Sequence, residues 1–290
     1  MINRLPHWFR QDIPDTITLE RTRIVSEFNI HTVCQEAKCP NLGYCFKNSR
    51  LTFIILGDTC TRNCRFCAVN KTNGEYSLGL DSDEPYRISQ IVKRLSIKYV
   101  VITSVSRDDL CDGGAAQFAK TIELIRVLNK NIKIEVLIPD FQGRISSLRT
   151  VLDAEPDLVA HNIETISRLY NDLRPAANYQ GSLDILKKIK ELKPSLISKS
   201  SLMLGLGETE EEVKQTLEDL RKSKCDILTL GQYLAPSKEH YPVKEFIDIE
   251  QFERYREIGL SLGFKAVLSG PLVRSSYRAE EVYKTCMISS

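Results

Sequence analysis

The stretch "LTFIILGDTCTRNCRFC", Leu51–Cys67, joins a short β-branched run to a set of cysteines, and that junction decides how the chain folds. Leu51–Leu56 has the composition of a strand buried on both faces. Gly57 and Asp58 punctuate its end, and Cys60, Cys64 and Cys67 follow as C-x-x-x-C-x-x-C. A strand that runs straight into metal-ligating side chains predicts a site at the carboxyl edge of a parallel sheet, if further strands of the same kind follow.

They do follow. "KYVVITS" (98–104), "IKIEVLIP" (132–139), "DLVAHNI" (157–163), "SLISKSSLML" (195–204) and "CDILTLGQYL" (225–234) are short runs rich in Val, Ile, Leu and Tyr. Helical patterns separate them. In "ETEEEVKQTLEDLRKS" (208–223), Val213, Leu217 and Leu220 fall on one helical face, and Thr209 with Glu212 fits a capping box. Six β/α units in series predict an α/β fold with a parallel sheet and right-handed crossovers, although the pattern leaves open whether the sheet closes. Residues 51–250 carry this rhythm, so residues 1–50 and 251–290 are expected as N-terminal and C-terminal extensions.

Composition narrows the function. Forty Lys and Arg against 38 Asp and Glu give a formal charge of +2, so no whole-chain field points to nucleic acid or an anionic membrane. "MINRLPHWFRQDIPDTITLERTRIV" lacks an apolar signal core, and no run is long enough to span a bilayer. The expectation is a cytoplasmic protein in a reducing compartment, where clustered thiols bind metal more often than they pair. Nine cysteines is also an odd number, which no complete set of disulfides within one chain accommodates.

Three thiolates at spacings of three and two residues suit one small iron-sulfur cluster, and three ligands for four irons leave one iron open. An open iron can hold the amino and carboxylate groups of S-adenosylmethionine and deliver an electron to its sulfonium. That chemistry belongs to the cofactor, with the protein aiming it. Zinc is the alternative, since Cys64 and Cys67 form a C-x-x-C pair, but no second pair of similar spacing completes four donors. Upstream, Cys34, Cys39 and Cys45 form a second triplet that fits either another cluster or zinc with His31 as fourth donor.

Beyond the thiols, "TVCQEAKCPNLGYCF", "GDTCTRNCRFCAV", "YVVITSVSRDDL", "IEVLIPDFQG", "HNIETI", "LMLGLGE", "LGQYLAPS" and "SGPLVRSSY" resemble the lipoyl synthase family of the radical S-adenosylmethionine superfamily. The resemblance runs from the early twenties to about residue 280. It implies a partial (β/α)6 barrel of TIM type and the insertion of two sulfur atoms, at C6 and C8 of an octanoyl chain amide-linked to a lysine. It implies two 4Fe-4S clusters and S-adenosylmethionine as cofactors. Cys60, Cys64 and Cys67 would hold the radical-generating cluster, and Cys34, Cys39 and Cys45 an auxiliary cluster consumed as the sulfur source. In the family a serine of R-S-S-Y takes the fourth iron of that auxiliary cluster, and Ser276 is assigned to it here. A hydroxyl is a harder ligand than a thiolate, which suits a corner that must come apart.

The implied partners are an octanoylated lipoyl-carrier protein, such as the glycine cleavage H protein or the lipoyl domains of 2-oxoacid dehydrogenases, and a reducing ferredoxin or flavodoxin. Neither nucleic acid nor membrane is expected, and a monomer suffices. Phe66, Thr103, Asn162 and Glu164 are candidates for binding S-adenosylmethionine, with Ser104, Gly205, Gly207 and Glu208 beside them. Arg107, Asp108, Asp109 and Arg174 read either as helping to order the site or as ordinary exposed charge pairs. His7 and Trp8 read as a packing anchor, and Cys225 as a small buried hydrophobe. Cys111, Arg278 and the segment "NKTNGEYSLGLDSDEP" (70–85) depart from the family pattern. The alternatives are another radical sulfur insertion of the biotin synthase kind, or an iron-sulfur electron carrier.

Overall fold

The computed structural model describes residues 5–9, 15–72 and 79–288, so part of the atypical 70–85 segment lies outside the described residues. The chain forms two compact units. The first comprises Gln11–Asn63 and Ala68–Val159, and the second Met1–Arg10, Cys64–Cys67 and Ala160–Ser290.

The strands are β1 (Thr52–Ile55), β2 (Tyr99–Ser104), β3 (Lys133–Leu137), β4 (Leu158–Ala160), β5 (Ile197–Leu204), β6 (Ile227–Gln232) and β7 (Ala266–Gly270). The first six are the six expected from sequence. In the first unit β1 pairs in parallel with β2 (Thr52 opposite Val101), and β2 with β3 (Tyr99 opposite Lys133). His31–Thr32 adds a short antiparallel edge to β1. In the second unit β5 pairs in parallel with β6, and β6 with β7, so that Ile227 faces Lys199 on one side and Ala266 on the other. The chain is α/β with a mostly parallel sheet.

β7 corrects one expectation. The helix Ile249–Ser261 and β7 continue the alternation beyond residue 250, so the β/α rhythm runs to Gly270. "AVLSG" is a weak strand by composition, and most of it is only half-buried. Parallel pairing to β6 imposes the strand that propensity alone does not.

Both strand faces are buried in β1, as its unbroken apolar run predicts. The helix Glu84–Arg94 covers the first unit with Ile88, Ile91 and Val92. Its buried Glu84 also fixes the exit from β1, accepting hydrogen bonds from Leu56 N (2.8 Å) and Gly57 N (3.2 Å). Leu56 sits at φ 71°, a left-handed conformation unusual for leucine. Gly114 permits it, since a Cβ there would lie 2.2 Å from Leu56 Cδ1. The turn into the cysteine loop is therefore held by a carboxylate on one side and by a glycine's missing side chain on the other.

In the second unit the helix Glu210–Lys222 has the capping box read from Thr209 and Glu212, and Val213, Leu217 and Leu220 are fully buried. The N-terminal anchor is Phe9, which packs at 5.7 Å between ring centroids on Phe246, while His7 stays exposed and Trp8 half-buried. At the carboxyl end of β6 the chain returns very close: a Cβ on Gly231 would lie 2.0 Å from the Val273 carbonyl oxygen. Only glycine lets the segment entering R-S-S-Y cross there.

Two substitutions test this packing by denaturant unfolding. Leu217→Ala should cost roughly 2–5 kcal/mol, as deletion of a buried leucine does. Gly231→Ala should cost roughly 1–3 kcal/mol through overpacking against a backbone that cannot rotate away. A neutral Gly231→Ala would show that Val273 does not cross β6 so closely.

Candidate functional site

In the first unit, the upstream thiols are brought together by short helical turns. Cys34 lies in the turn Val33–Glu36, capped by Thr32, and Cys45 in the helix Leu42–Lys47. Between them the Cys39 N–H donates to the Cys34 carbonyl at 3.1 Å. Burial pushes the Cys34 thiol well up, and the neighbouring Cys39 and Cys45 push it further. Burial and then Cys39 push Cys45 up to about 12, against the pull of Arg50. The three sulfurs thus share one locale in which thiolates are costly unless a cation neutralises them, and a metal does so by deprotonating its thiols outright. This donor set fits a cluster. His31 Nδ1 is 2.9 Å from Glu36 Oε1, so that ring nitrogen is already engaged by a carboxylate. Among the described residues, no three His, Cys, Asp or Glu side chains close on one point as ligands of a single ion do.

Cys60 belongs to the same unit. Its sulfur accepts backbone N–H groups of Ser106 (3.3 Å) and Arg62 (3.4 Å). Such donors suit a sulfur that carries negative charge. Thr61 is zipped to the loop after β2: its N–H and hydroxyl donate to the Ser106 carbonyl, and its Oγ1 accepts Asp108 N–H at 3.1 Å. Next to this loop, Ser104 Oγ is buried with no hydrogen-bond partner among the described residues, whereas Thr103 spends its hydroxyl on the Leu137 carbonyl at 3.0 Å. Of the two, Ser104 is the one with a hydroxyl to offer a ligand.

In the second unit, Cys64 and Cys67 occupy one tight turn, Cys67 N–H donating to Cys64 O at 3.2 Å. The backbone of this turn is clasped from outside. Arg65 N–H donates to Leu173 O and Tyr241 N–H to Arg65 O, both at 2.9 Å. His240 Nε2 reaches the Cys67 carbonyl at 3.1 Å, and since a carbonyl only accepts, that nitrogen carries the proton. Ser237 Oγ is hydrogen-bonded to the other ring nitrogen, Nδ1, at 2.8 Å. Phe66 packs against a cluster containing Ile166, Leu169, Leu173 and Tyr233, which gives it a structural role in seating the turn.

Asn162 and Glu164 follow β4, as "HNIET" suggested. Asn162 Nδ2 donates to Glu164 Oε1 at 2.9 Å, and Ser275 Oγ donates to Asn162 Oδ1 at 3.0 Å. Burial pushes the Glu164 carboxyl up, opposed by the Arg174 charge and the Asn162 bond. Arg174 is itself buried, donating to the Asn162 carbonyl (3.2 Å) and to Tyr170 Oη (2.5 Å). The reading of Arg107 and Arg174 as exposed pairs is therefore corrected, because both guanidinium groups are buried. Glu164 also adopts φ 65°, held by pairing with β5 through Ser201 O and Met203 N. Glu208 accepts the N–H groups of Gly205 and Leu206, shaping "LGLGE" into a turn.

Ser276 is half-buried in the turn after Val273, with Tyr277 N–H bonded to Arg274 O and Ala279 N–H to Ser276 O. Ser275 is committed to Asn162. Sequence reasoning missed three contributors: Arg62, His240 and the role of Ser275. For all three, only the fold reveals the partner.

Residues 54–220 match the family model described as Radical SAM superfamily. A lipoyl synthase of Caldicellulosiruptor bescii is 52% identical over 281 residues, covering 95% of this chain and 94% of that protein. One from Caldanaerobacter subterraneus is 50% identical over 280 residues, covering 97% of each. In fold, the chain is similar to the crystal structure of methylornithine synthase, with a TM-score of 0.53 over 81% of this chain and 80% of that one at 14% identity. That α/β likeness is of the radical S-adenosylmethionine barrel type expected from sequence. High identity over nearly the full length, joined to the two cysteine triplets, shows that the chain belongs to the lipoyl synthase family.

Proposed function

We propose that Cys60, Cys64 and Cys67 hold the 4Fe-4S cluster that reduces S-adenosylmethionine, and that Cys34, Cys39, Cys45 and Ser276 hold the auxiliary 4Fe-4S cluster that is spent as sulfur donor. Lipoyl synthases use S-adenosylmethionine and 4Fe-4S clusters, one of them auxiliary. The observation that carries the assignment is the shared locale of Cys34, Cys39 and Cys45, where burial and then Cys39 push up the thiols of Cys34 and Cys45, so that a bound cation is what makes thiolates favourable.

When bound, the reducible cluster and S-adenosylmethionine supply a carbon radical that takes hydrogen from an unactivated methylene, a task no general base or nucleophile performs. The protein's own residues bind and orient. Ser104 offers its unpartnered hydroxyl to the nucleoside. Glu164 offers its carboxylate to a ribose hydroxyl or to the methionine ammonium, its rotamer fixed by Asn162. Asn162 is fixed in turn by Ser275 and Arg174. Of the two serines, the family resemblance assigns Ser276 to iron, while Ser275 holds Asn162. The substrate is an octanoyl group on a lysine of a lipoyl-carrier protein, gaining sulfur at C6 and C8. A reduced ferredoxin or flavodoxin supplies electrons, and the enzyme works as a cytoplasmic monomer.

Anaerobic reconstitution should give about eight irons per chain, as two 4Fe-4S clusters require. Cys34→Ala should retain about four, still release 5′-deoxyadenosine from S-adenosylmethionine, and form no lipoyl product on an octanoyl-lysine peptide. Lipoyl product from Cys34→Ala would overturn the donor assignment. Ser276→Ala should behave like Cys34→Ala in product formation, whereas Ser275→Ala should weaken S-adenosylmethionine binding. The opposite pattern would exchange the two serines' roles.

A further inference from the structure

We propose that Arg62 is a positioning residue for Cys60 and that, through the two backbone N–H groups it holds on the Cys60 sulfur, it sets the reduction potential of the radical-generating cluster. This rests on the reading of Cys60 as a ligand of that cluster.

The geometry is that of a double clamp. Arg62 Nε and Nη2 meet both oxygens of Asp108 at 2.7 and 2.8 Å. Nη1 and Nη2 meet both oxygens of Asp140 at 2.7 and 2.6 Å. The guanidinium is 5% exposed. Burial alone would lower its pKa, but the hydrogen bonds of Asp140 and Asp108 win and hold it charged. Two bidentate pairs on one planar fork are a match that lysine cannot reproduce. Arg107, one residue before Asp108, pairs with Asp109.

The partners explain what the clamp does. Asp108 follows β2 and Asp140 follows β3, so Arg62 ties the loop after β1 to the ends of the next two strands. Asp140 also accepts Gln142 N–H at 2.9 Å, which anchors the far end of the clamp to its own turn. With Thr61 zipped to Ser106 and Asp108, the backbone from Cys60 to Arg62 has little freedom. The N–H groups of Arg62 and Ser106 are thereby fixed on the Cys60 sulfur at 3.4 and 3.3 Å. Hydrogen bonds to a ligating sulfur favour the reduced, more negative cluster and so raise its potential. Breaking the clamp frees these donors and leaves two half-buried carboxylates without their partner.

The test uses the Cys34→Ala protein, which should carry the radical-generating cluster alone, and follows the reduced cluster's paramagnetic signal in a redox titration. Arg62→Lys and Arg62→Gln should both make the cluster harder to reduce by about tenfold, a shift of about 59 mV for one electron. Arg62→Lys keeps the charge and loses the fork. If its potential matches the parent while only Arg62→Gln shifts, charge and not positioning is responsible, and the proposal fails. Unchanged potentials in both would also overturn it. A variant that does not hold iron is read in the cluster-free protein, where the amides of Arg62 and Ser106 should exchange hydrogen faster in Asp140→Asn than in the parent; equal exchange overturns the proposal. Cys60→Ala separates the underlying reading. If it still binds a four-iron cluster and cleaves S-adenosylmethionine, Cys60 is not a ligand, whatever Arg62 does.

Discussion

A thiolate buried without a cation is unstable, and the organisation of this protein follows from that constraint. Cys34 and Cys45 are buried deeply enough that their thiols strongly resist ionisation. Only a bound metal makes three such groups worth gathering. Around Cys60 the constraint is met differently, by backbone N–H groups aimed at the sulfur and a loop locked to neighbouring strand ends. In the proposed reading, iron supplies the remaining charge balance in both places.

Two of the left-handed, non-glycine positions lie just after strands. Leu56, at the exit from β1, and Glu164, just after β4, both adopt positive φ, a conformation that costs free energy in any residue with a Cβ. Each is held by partners of its own unit: Glu84 and Gly114 for Leu56, and the pairing with β5 for Glu164. Strained positions supported in this way belong where a side chain must be aimed, and Glu164 is the carboxylate assigned here to the nucleoside.

Much of this was legible in the sequence. The six strands were readable because strands buried on both faces are written as short β-branched runs, and Val213, Leu217 and Leu220 marked their helix face by period alone. β7 was not readable, because Ala266, Ser269 and Gly270 carry little strand propensity and pairing to β6 decides the matter. Cysteine spacing announced the clusters. Arg62 gave no such notice, since its partners lie 46 and 78 positions away and only the parallel order of β1, β2 and β3 brings them together. Likewise Thr103 and Ser104 are adjacent and chemically alike, and only the structure shows that one hydroxyl is spent on a neighbouring strand while the other has no partner among the described residues.

The central claim is that sulfur passes from the protein's own auxiliary cluster to an octanoyl chain. Reconstituting the clusters with sulfide-34 and supplying an unlabelled octanoyl-lysine peptide, S-adenosylmethionine and reductant tests it by mass spectrometry of the first turnover. Two heavy sulfur atoms in the lipoyl product are the predicted result. Product carrying sulfur of natural abundance, with the labelled auxiliary cluster still intact, would contradict the account.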